Sequence, residues 1–451
     1  MPSKPRARTG ASRRRTRDHG RVAPARAHDA RKPNRLAGFI RKLGPGLISG
    51  AADDDPSGIG TFAMAGAKLG YAPLWIAWLS VPMMIAVQFI CAKIGMVSGM
   101  GVAGVLRRHY PRWLLYVAVL ALVVANTINA GADIIAIAAG INLLVPVPIG
   151  FMVLPIAVLI LVVQVWGSYR LIASIFKWLT LSLFAYIGAA FLAKPDWGAV
   201  LAQTFLPTLH FDNTFLTMVV ALLGTNISPY LFFWQASQEV EEQISRGRIL
   251  LRQRKGATVD ELKNGLWDVI TGMVLSNVVM YFIILATAAT LHQAGQTEVA
   301  TADQAAQALR PLAGEGAYLL MALGLIGSGL LAVPTLTGSA AYALCETLGW
   351  KGSLDDTPRK GRKLYIVLAV LTLGSLIIEV VGVKPMDALF WSAVINGLLA
   401  PPLLVLIMLI GNNRRIMGNR VNGTWLNAAG WLTTAAMFAA AIGLIVTWGQ
   451  S

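Results

Sequence analysis

Three consecutive aspartates and a proline, Asp53, Asp54, Asp55 and Pro56, interrupt an otherwise apolar run, GLISGAADDDPSGIGTFAMAG, between Gly46 and Gly66. A carboxylate at membrane depth is costly and persists where it has a partner or a role. A second interruption, LLGTNISPYLFF, sets Gly224, Thr225, Asn226, Ser228 and Pro229 inside another apolar run. Proline removes a backbone donor and glycine relaxes the chain, so helices are expected to break at Pro56, near Gly58 and Gly60, and at Gly224 and Pro229. The freed backbone groups are tolerated only inside protein or beside a wet cavity. Each N-terminal half-helix also ends in carbonyls of partial negative charge. The Asp55 carboxylate, the carbonyls near Gly224 and Thr225, the Asn226 amide and the Ser228 hydroxyl together make a cage of oxygens suited to a cation, whose charge offsets the burial of the acid. Asp53 and Asp54 are expected to face water or to cap the second half-helix. The competing reading puts Asp53 to Asp55 in an ordinary loop, which would cost the first span its part in the charge pattern below.

Such residues need a membrane scaffold. The 451 residues are 56% hydrophobic and 13% charged, which predicts an all-α polytopic membrane protein. Apolar runs long enough for about 30 Å of hydrocarbon recur throughout. They predict about eleven spans, near 44–69, 72–98, 113–143, 148–166, 172–193, 213–238, 264–291, 316–345, 364–382, 386–411 and 426–448. The tail is basic from Lys4 through Arg13, Arg14 and Arg15 to Lys42, so it is expected in the cytoplasm. Alternate loops then carry Arg107, Arg108 and Arg112; Arg170 and Lys177; Arg246 to Lys263; Lys351 to Lys363; and Arg414, Arg415 and Arg420 on the same side. The outer loops keep only Lys68, Lys194, Arg310 and Lys384, and an odd number of spans puts Ser451 outside. The net charge of +16 therefore reports topology. A disordered tail near anionic lipid is expected in place of a nucleic-acid contact. Asp18 and Asp29 argue against a transit peptide, and the tail lacks the apolar core of a secretory signal. Cys91 and Cys345 fall within spans and read as packing residues.

The expected organisation is a disordered basic tail, 1–43; a ten-helix core, 44–411, with repeats 44–193 and 213–411; and a loop with an eleventh helix, 412–451. The outer segment EVATADQAAQAL has helical spacing and could lie as a short surface helix. The two breaks lie five spans apart, so their repeats insert in opposite senses. Paired broken helices in inverted halves point to a secondary transporter with its site at mid-membrane.

At these residues the sequence resembles the Nramp family, natural resistance-associated macrophage proteins, which are divalent metal transporters with a LeuT-type 5+5 inverted repeat. The family's first broken helix carries Asp-Pro-Gly-Asn, where this chain reads Asp55-Pro56-Ser57-Gly58; its sixth carries Gly-Ala-Thr-Val-Met-Pro-His, where this chain reads Gly224 to Tyr230. The resemblance implies metal ligation by Asp55 and the Thr225 carbonyl, with Gly58 and Ser228 at the positions of the family's Asn and Met ligands. Losing the thioether removes the soft ligand, and two small residues leave room for water. This suits Mg²⁺ first and Mn²⁺ next, and resembles the Nramp-related magnesium transporter branch. The family's histidines after the sixth-helix proline are Tyr230 and Gln235 here, and its two third-span acids align with Ala130 and Asp133 of INAGAD when Asn142 anchors the register. Proton coupling is thus in doubt, with Asp133 either a proton-pathway residue or a structural acid bonded to Asn126, Asn129 or a neighbouring helix.

Asn396, beside Gly397, is expected either to line the cavity with Asn226 and Tyr230 or to bond between helices. Asp268, Glu346 and Glu379 are expected on solvated faces, and Trp234 at an interface or in packing. The implied partners are a divalent ion and the bilayer, with no cofactor, no nucleic acid and a monomeric state, in the plasma (inner) membrane. Three alternatives stand beside this reading. A proton-coupled Mn²⁺/Fe²⁺ transporter would need the missing histidines. A sodium-coupled small-solute symporter of the same fold would set Asp55 against a substrate carboxylate. An intramembrane Mg²⁺-dependent enzyme would need a second acidic cluster, which GTNISPY does not supply.

Overall fold

Two helices of the protein stop and restart around a proline, and the rest of the fold is arranged about those stops. The computed structural model describes residues 44–167, 181–210, 212–350, 352–354 and 356–447. The expected disordered tail, 1–43, and Arg170, Lys177 and Lys351 lie outside the described residues. The main helices are α1 (Pro45–Asp53), α2 (Pro56–Leu69), α3 (Leu74–Ser98), α4 (Val102–His109), α5 (Arg112–Leu144), α6 (Ile149–Trp166), α7 (Ala185–Leu192), α8 (Trp197–Phe205), α9 (Asn213–Asn226), α10 (Pro229–Ser245), α11 (Val259–Thr287), α12 (Ala302–Gln307), α13 (Ala317–Leu348), α14 (Arg362–Gly374), α15 (Pro385–Asn412) and α16 (Thr424–Thr447). The described residues hold no strand.

Nine helical segments among the described residues are long and apolar enough to cross a membrane, α9 and α10 counting as one. The first expected span is the pair α1 and α2, each half too short to be counted. The fifth is described only from residue 181, through α7. The remaining nine expected spans coincide with the nine segments. The α9–α10 segment is 89% buried in its most apolar window against 33% for α6, so the broken pair sits at the centre and α6 at the rim.

The breaks share one backbone design. In the first, Asp54 leaves the helical region at φ −79°, ψ 50°, Asp55 is extended at φ −70°, ψ 166°, and Pro56 opens α2. In the second, Ile227 at φ −112°, ψ 57° and Ser228 at φ −78°, ψ 136° precede Pro229, which opens α10. A residue before proline is driven out of the α region, and proline suits the first helical turn because its missing N–H has no partner there anyway.

Glycines bring the broken helices against their neighbours. A Cβ on Gly50 would meet the backbone of Gly272, so α1 lies backbone-to-backbone on α11. A Cβ on Gly224 would meet Ala393 and Gly397, which fixes the end of α9 against α15. Small residues permit such contacts where lipid offers no competing hydrophobic drive.

Asp268 and Glu346 differ from expectation, while Trp234 and the two cysteines pack as expected. Asp268 is 4% exposed and accepts from the amides of Gly44 at 2.9 Å, Gly46 at 2.7 Å and Leu47 at 3.1 Å, capping α1 from across the bundle. Glu346 accepts from Gly101 N at 2.8 Å and Gly104 N at 2.9 Å and caps α4. Both acids satisfy helix N-termini, whose amides have no intrahelical partner. Glu379 is half-buried. Trp234 is fully buried and packs in the core. Cys91 and Cys345 are buried and unbridged. The segment EVATADQAAQAL forms α12, which buries Ala302, Ala305 and Ala306 instead of lying free on the surface.

Candidate functional site

Asp55 stands at the start of α2 and is 1% exposed. Its Oδ1 accepts from Ser57 Oγ and from Gly58 N, both at 2.7 Å, and its Oδ2 accepts from Asn129 Nδ2 on α5 at 3.1 Å. Asn129 Oδ1 in turn accepts from Ser392 Oγ on α15 at 2.8 Å, which fixes the face its amide presents. Asp55 is thus itself the N-cap of α2, a role expected of Asp53 or Asp54.

The second break meets the first at Gly58. A Cβ there would lie 3.1 Å from Thr225 Oγ1, a tight contact, so glycine brings the two breaks together without crowding the threonine. Thr225 Oγ1 is buried with no hydrogen-bond partner among the described residues. Ser228 Oγ lies 2.7 Å from Gly224 O and 2.6 Å from Thr225 O, donating its one proton back to the carbonyls at the end of α9. A hydroxyl so engaged turns its lone pairs outward. Asp55, Gly58, Thr225 and Ser228 are therefore brought to the junction of the two broken helices, sealed from solvent.

The supporting residues divide. Asn226 donates through Nδ2 to Ser80 Oγ at 3.2 Å and Met280 Sδ at 2.8 Å, and its Oδ1 is buried with no partner among the described residues. Tyr230 donates to Ala52 O at 2.7 Å, satisfying a carbonyl in the last turn of α1. Asn396 is 1% exposed, and neither Nδ2 nor Oδ1 has a partner among the described residues. Its neighbour Gly397 touches Gly224, so this unsatisfied amide lies one residue from the contact with the second break.

Asp133 is fully buried and both its oxygens are unpartnered among the described residues. The expected bonds from Asn126 and Asn129 go elsewhere: Asn126 donates to Leu336 O at 2.8 Å and Ser339 Oγ at 2.7 Å, and Asn129 donates to Asp55. Asp53 and Asp54 do not face water. They are 1% and 6% exposed, and Asp53 Oδ2 and Asp54 Oδ1 both lie within reach of the single hydroxyl of Ser276 on α11, at 2.6 Å and 3.0 Å. The turn of α1 that carries them faces α11, because Gly50 pulls the two helices together.

Sequence reasoning gave Asn129 to Asp133 and Ser57 no role, so both partners of Asp55 were missed, and it passed over Ser276 and Ser392. Asn129 had a signal, one helical turn before Asp133 in INAGAD; the serines had none, since a lone serine in an apolar run usually bonds its own helix. A polar chain also runs down α10, from Ser49 Oγ to Gln235 Oε1 at 2.6 Å and from Gln235 Nε2 to Glu239 Oε1 at 3.0 Å. Among the described residues no three His, Cys, Asp or Glu side chains converge as a metal cage, and no Lys, Arg or His pairs with Asp53, Asp54, Asp55 or Asp133. A cation at this junction would meet one carboxylate and otherwise neutral oxygens, a hard donor set.

The family model described as natural resistance-associated macrophage protein-like, Nramp, matches residues 46–447. A protein of similar sequence is the divalent metal cation transporter MntH of Klebsiella pneumoniae (strain 342), 27% identical over 400 residues that span 87% of this chain and 91% of that protein. A crystal structure of the Eremococcus coleocola manganese transporter, in complex with an aromatic bis-isothiourea substituted compound, aligns with a TM-score of 0.72 at 20% identity, over 92% of this chain and 88% of that one. The inward-facing conformation of Mhp1 aligns with a TM-score of 0.52 at 15% identity, over 90% of this chain and 88% of that one. The fold is the LeuT-type inverted repeat with helices broken at its first and sixth positions.

Proposed function

This chain belongs to the Nramp family, and from that premise we propose that it is a secondary transporter carrying divalent metal cations by alternating access, Mg²⁺ first and Mn²⁺ next. The observation that carries the reading is Asp55: a buried carboxylate with three neutral donors and no cationic side chain, held where two broken helices touch. A cation would supply the missing charge, and removing it leaves an acid whose burial is hard to explain otherwise. Two of the related proteins, MntH of Klebsiella pneumoniae and the Eremococcus coleocola transporter, are named for divalent metal and for manganese transport, which supports a divalent cargo.

The preference for Mg²⁺ rests on the donor types. Ser228 and Gly58 offer no sulfur and little bulk, and Mg²⁺ keeps several waters and demands oxygen. Manganese stays second because it also accepts oxygen and because a relative is named for it. The ligand set we assign is Asp55, the Thr225 carbonyl and Ser228, with Gly58 leaving room for water and Asn396 offering its unpartnered oxygen. Transport needs the sealed junction to open to each side in turn, with the four-helix group containing the two broken helices rocking against the rest. The basic loops support an N-terminus in the cytoplasm, a C-terminus outside and uptake across the plasma (inner) membrane.

Tyr230 and Gln235 do not titrate near neutral pH, and Tyr230 is committed to Ala52. Uptake without proton flux follows, and Asp133 is the acid through which coupling would otherwise run. The test is a liposome panel of Mg²⁺, Mn²⁺, Ca²⁺ and Zn²⁺ with internal pH followed at the same time. Mg²⁺ and Mn²⁺ should enter without acidification. A preference for Zn²⁺ would sink the argument from Ser228, and acidification abolished by Asp133→Asn would assign coupling to that residue.

A further inference from the structure

We infer that Ser57 sets the ion preference of this site by forcing Asp55 to ligate through one oxygen; the inference rests on the divalent-cation reading above. A carboxylate offers about two lone pairs on each oxygen. Asp55 Oδ1 accepts from Ser57 Oγ and Gly58 N, both at 2.7 Å, so its lone pairs are committed. Oδ2 accepts from Asn129 Nδ2 at the longer distance of 3.1 Å, and it is the oxygen that keeps a lone pair for an ion.

Bidentate ligation needs a free lone pair on both oxygens, and the Ser57 hydroxyl removes it from Oδ1. The Gly58 amide is fixed by the first turn of α2, which makes Ser57 the adjustable donor. The distinction falls between two classes of ion. Ca²⁺ takes six to eight oxygens in flexible geometry and often binds a carboxylate through both of its oxygens, whereas Mg²⁺ holds an octahedron of single contacts and retained waters. A carboxylate limited to one contact favours Mg²⁺ and handicaps Ca²⁺. Asn129 acts differently: it aims Oδ2 without touching Oδ1, so it positions the ligand but does not change how many oxygens can bind.

The experiment measures uptake of Mg²⁺ and its competition by Ca²⁺ in liposomes containing the full-length protein. Ser57→Ala should raise the Ca²⁺-to-Mg²⁺ ratio of apparent affinities by about tenfold, the low end of what loss of an outer-shell partner changes in metal affinity. Ser57→Cys, a weak donor of similar size, should shift the ratio in the same direction and serves if the alanine variant does not purify. Ser57→Thr, which restores a hydroxyl, should restore the wild-type ratio. Asn129→Ala should weaken both ions together and leave the ratio in place. The inference is overturned if Ser57→Ala and Ser57→Cys lower uptake of both ions equally, or if Asn129→Ala shifts the ratio as far as Ser57→Ala does. A wild-type protein that carries no divalent ion in the same vesicles overturns the functional reading, and the inference with it.

Discussion

Asn396 illustrates how a residue can be costly to the fold and useful to the site. Its amide is buried with both polar atoms unpartnered among the described residues, and an unsatisfied buried group costs about 1–3 kcal/mol. Asn396→Leu, of similar size, should therefore raise the melting temperature in detergent while weakening Mg²⁺ uptake about tenfold; a variant that loses stability and keeps uptake would show that the amide serves packing. Legibility at this scale followed chemistry. Asp55, Gly58, Thr225 and Ser228 stood out because acids and helix breakers are conspicuous in apolar runs; the structure sets Gly58 against Thr225, with Asp55 at the first break and Ser228 at the second. Asp53 and Asp54 were misread because the sequence does not say which face of α1 meets α11, and Ser276 gave no warning that it would receive them.

At the scale of elements, α1 is held by a residue more than two hundred positions away. Asp268 takes three amides at its N-terminus, so Asp268→Ala should destabilise the protein by about 2 kcal/mol and loosen α1 first, which hydrogen exchange at Gly46 to Ser49 would detect as faster exchange there than in α15. Equal protection in both variants would deny the cap. The short connection before α11 makes a separate point. Burial alone would raise the Glu261 carboxyl, but the Thr258 amide and hydroxyl and the Arg248 guanidinium outweigh it and hold the group below the ordinary glutamate range. A depressed value adds stability above the unfolded-state pKa, and that stability is lost as pH falls through the folded value. Protection of the first turn of α11 should accordingly fall on acidification below the ordinary glutamate range, and Glu261→Gln should flatten that dependence. The breaks themselves were legible from Pro56 and Pro229; the caps were not, because acids near span ends are usually solvated and only the folded chain shows which amides they reach.

For the whole molecule, hydropathy disclosed the spans and the odd spacing of the two breaks disclosed the inverted halves, because both follow from the thickness of the bilayer and the need to satisfy every backbone group inside it. The repetition is visible in the backbone, where Asp54-Asp55-Pro56 and Ile227-Ser228-Pro229 follow the same path. What hydropathy could not supply was the rotation of each helix, and hence the bonds from Asn129 and Ser392 that complete the site. The two halves meet where Gly58 faces Thr225, and a divalent ion held at that meeting is the centre of the account. The most direct measurement is a structure of the full chain determined with saturating Mn²⁺, with the ion located by its anomalous scattering. The account predicts one peak within about 2–2.6 Å of Asp55 Oδ2 and of the Thr225 carbonyl oxygen or a bridging water, absent in Asp55→Ala. A peak elsewhere in the bundle that survives that substitution would contradict it.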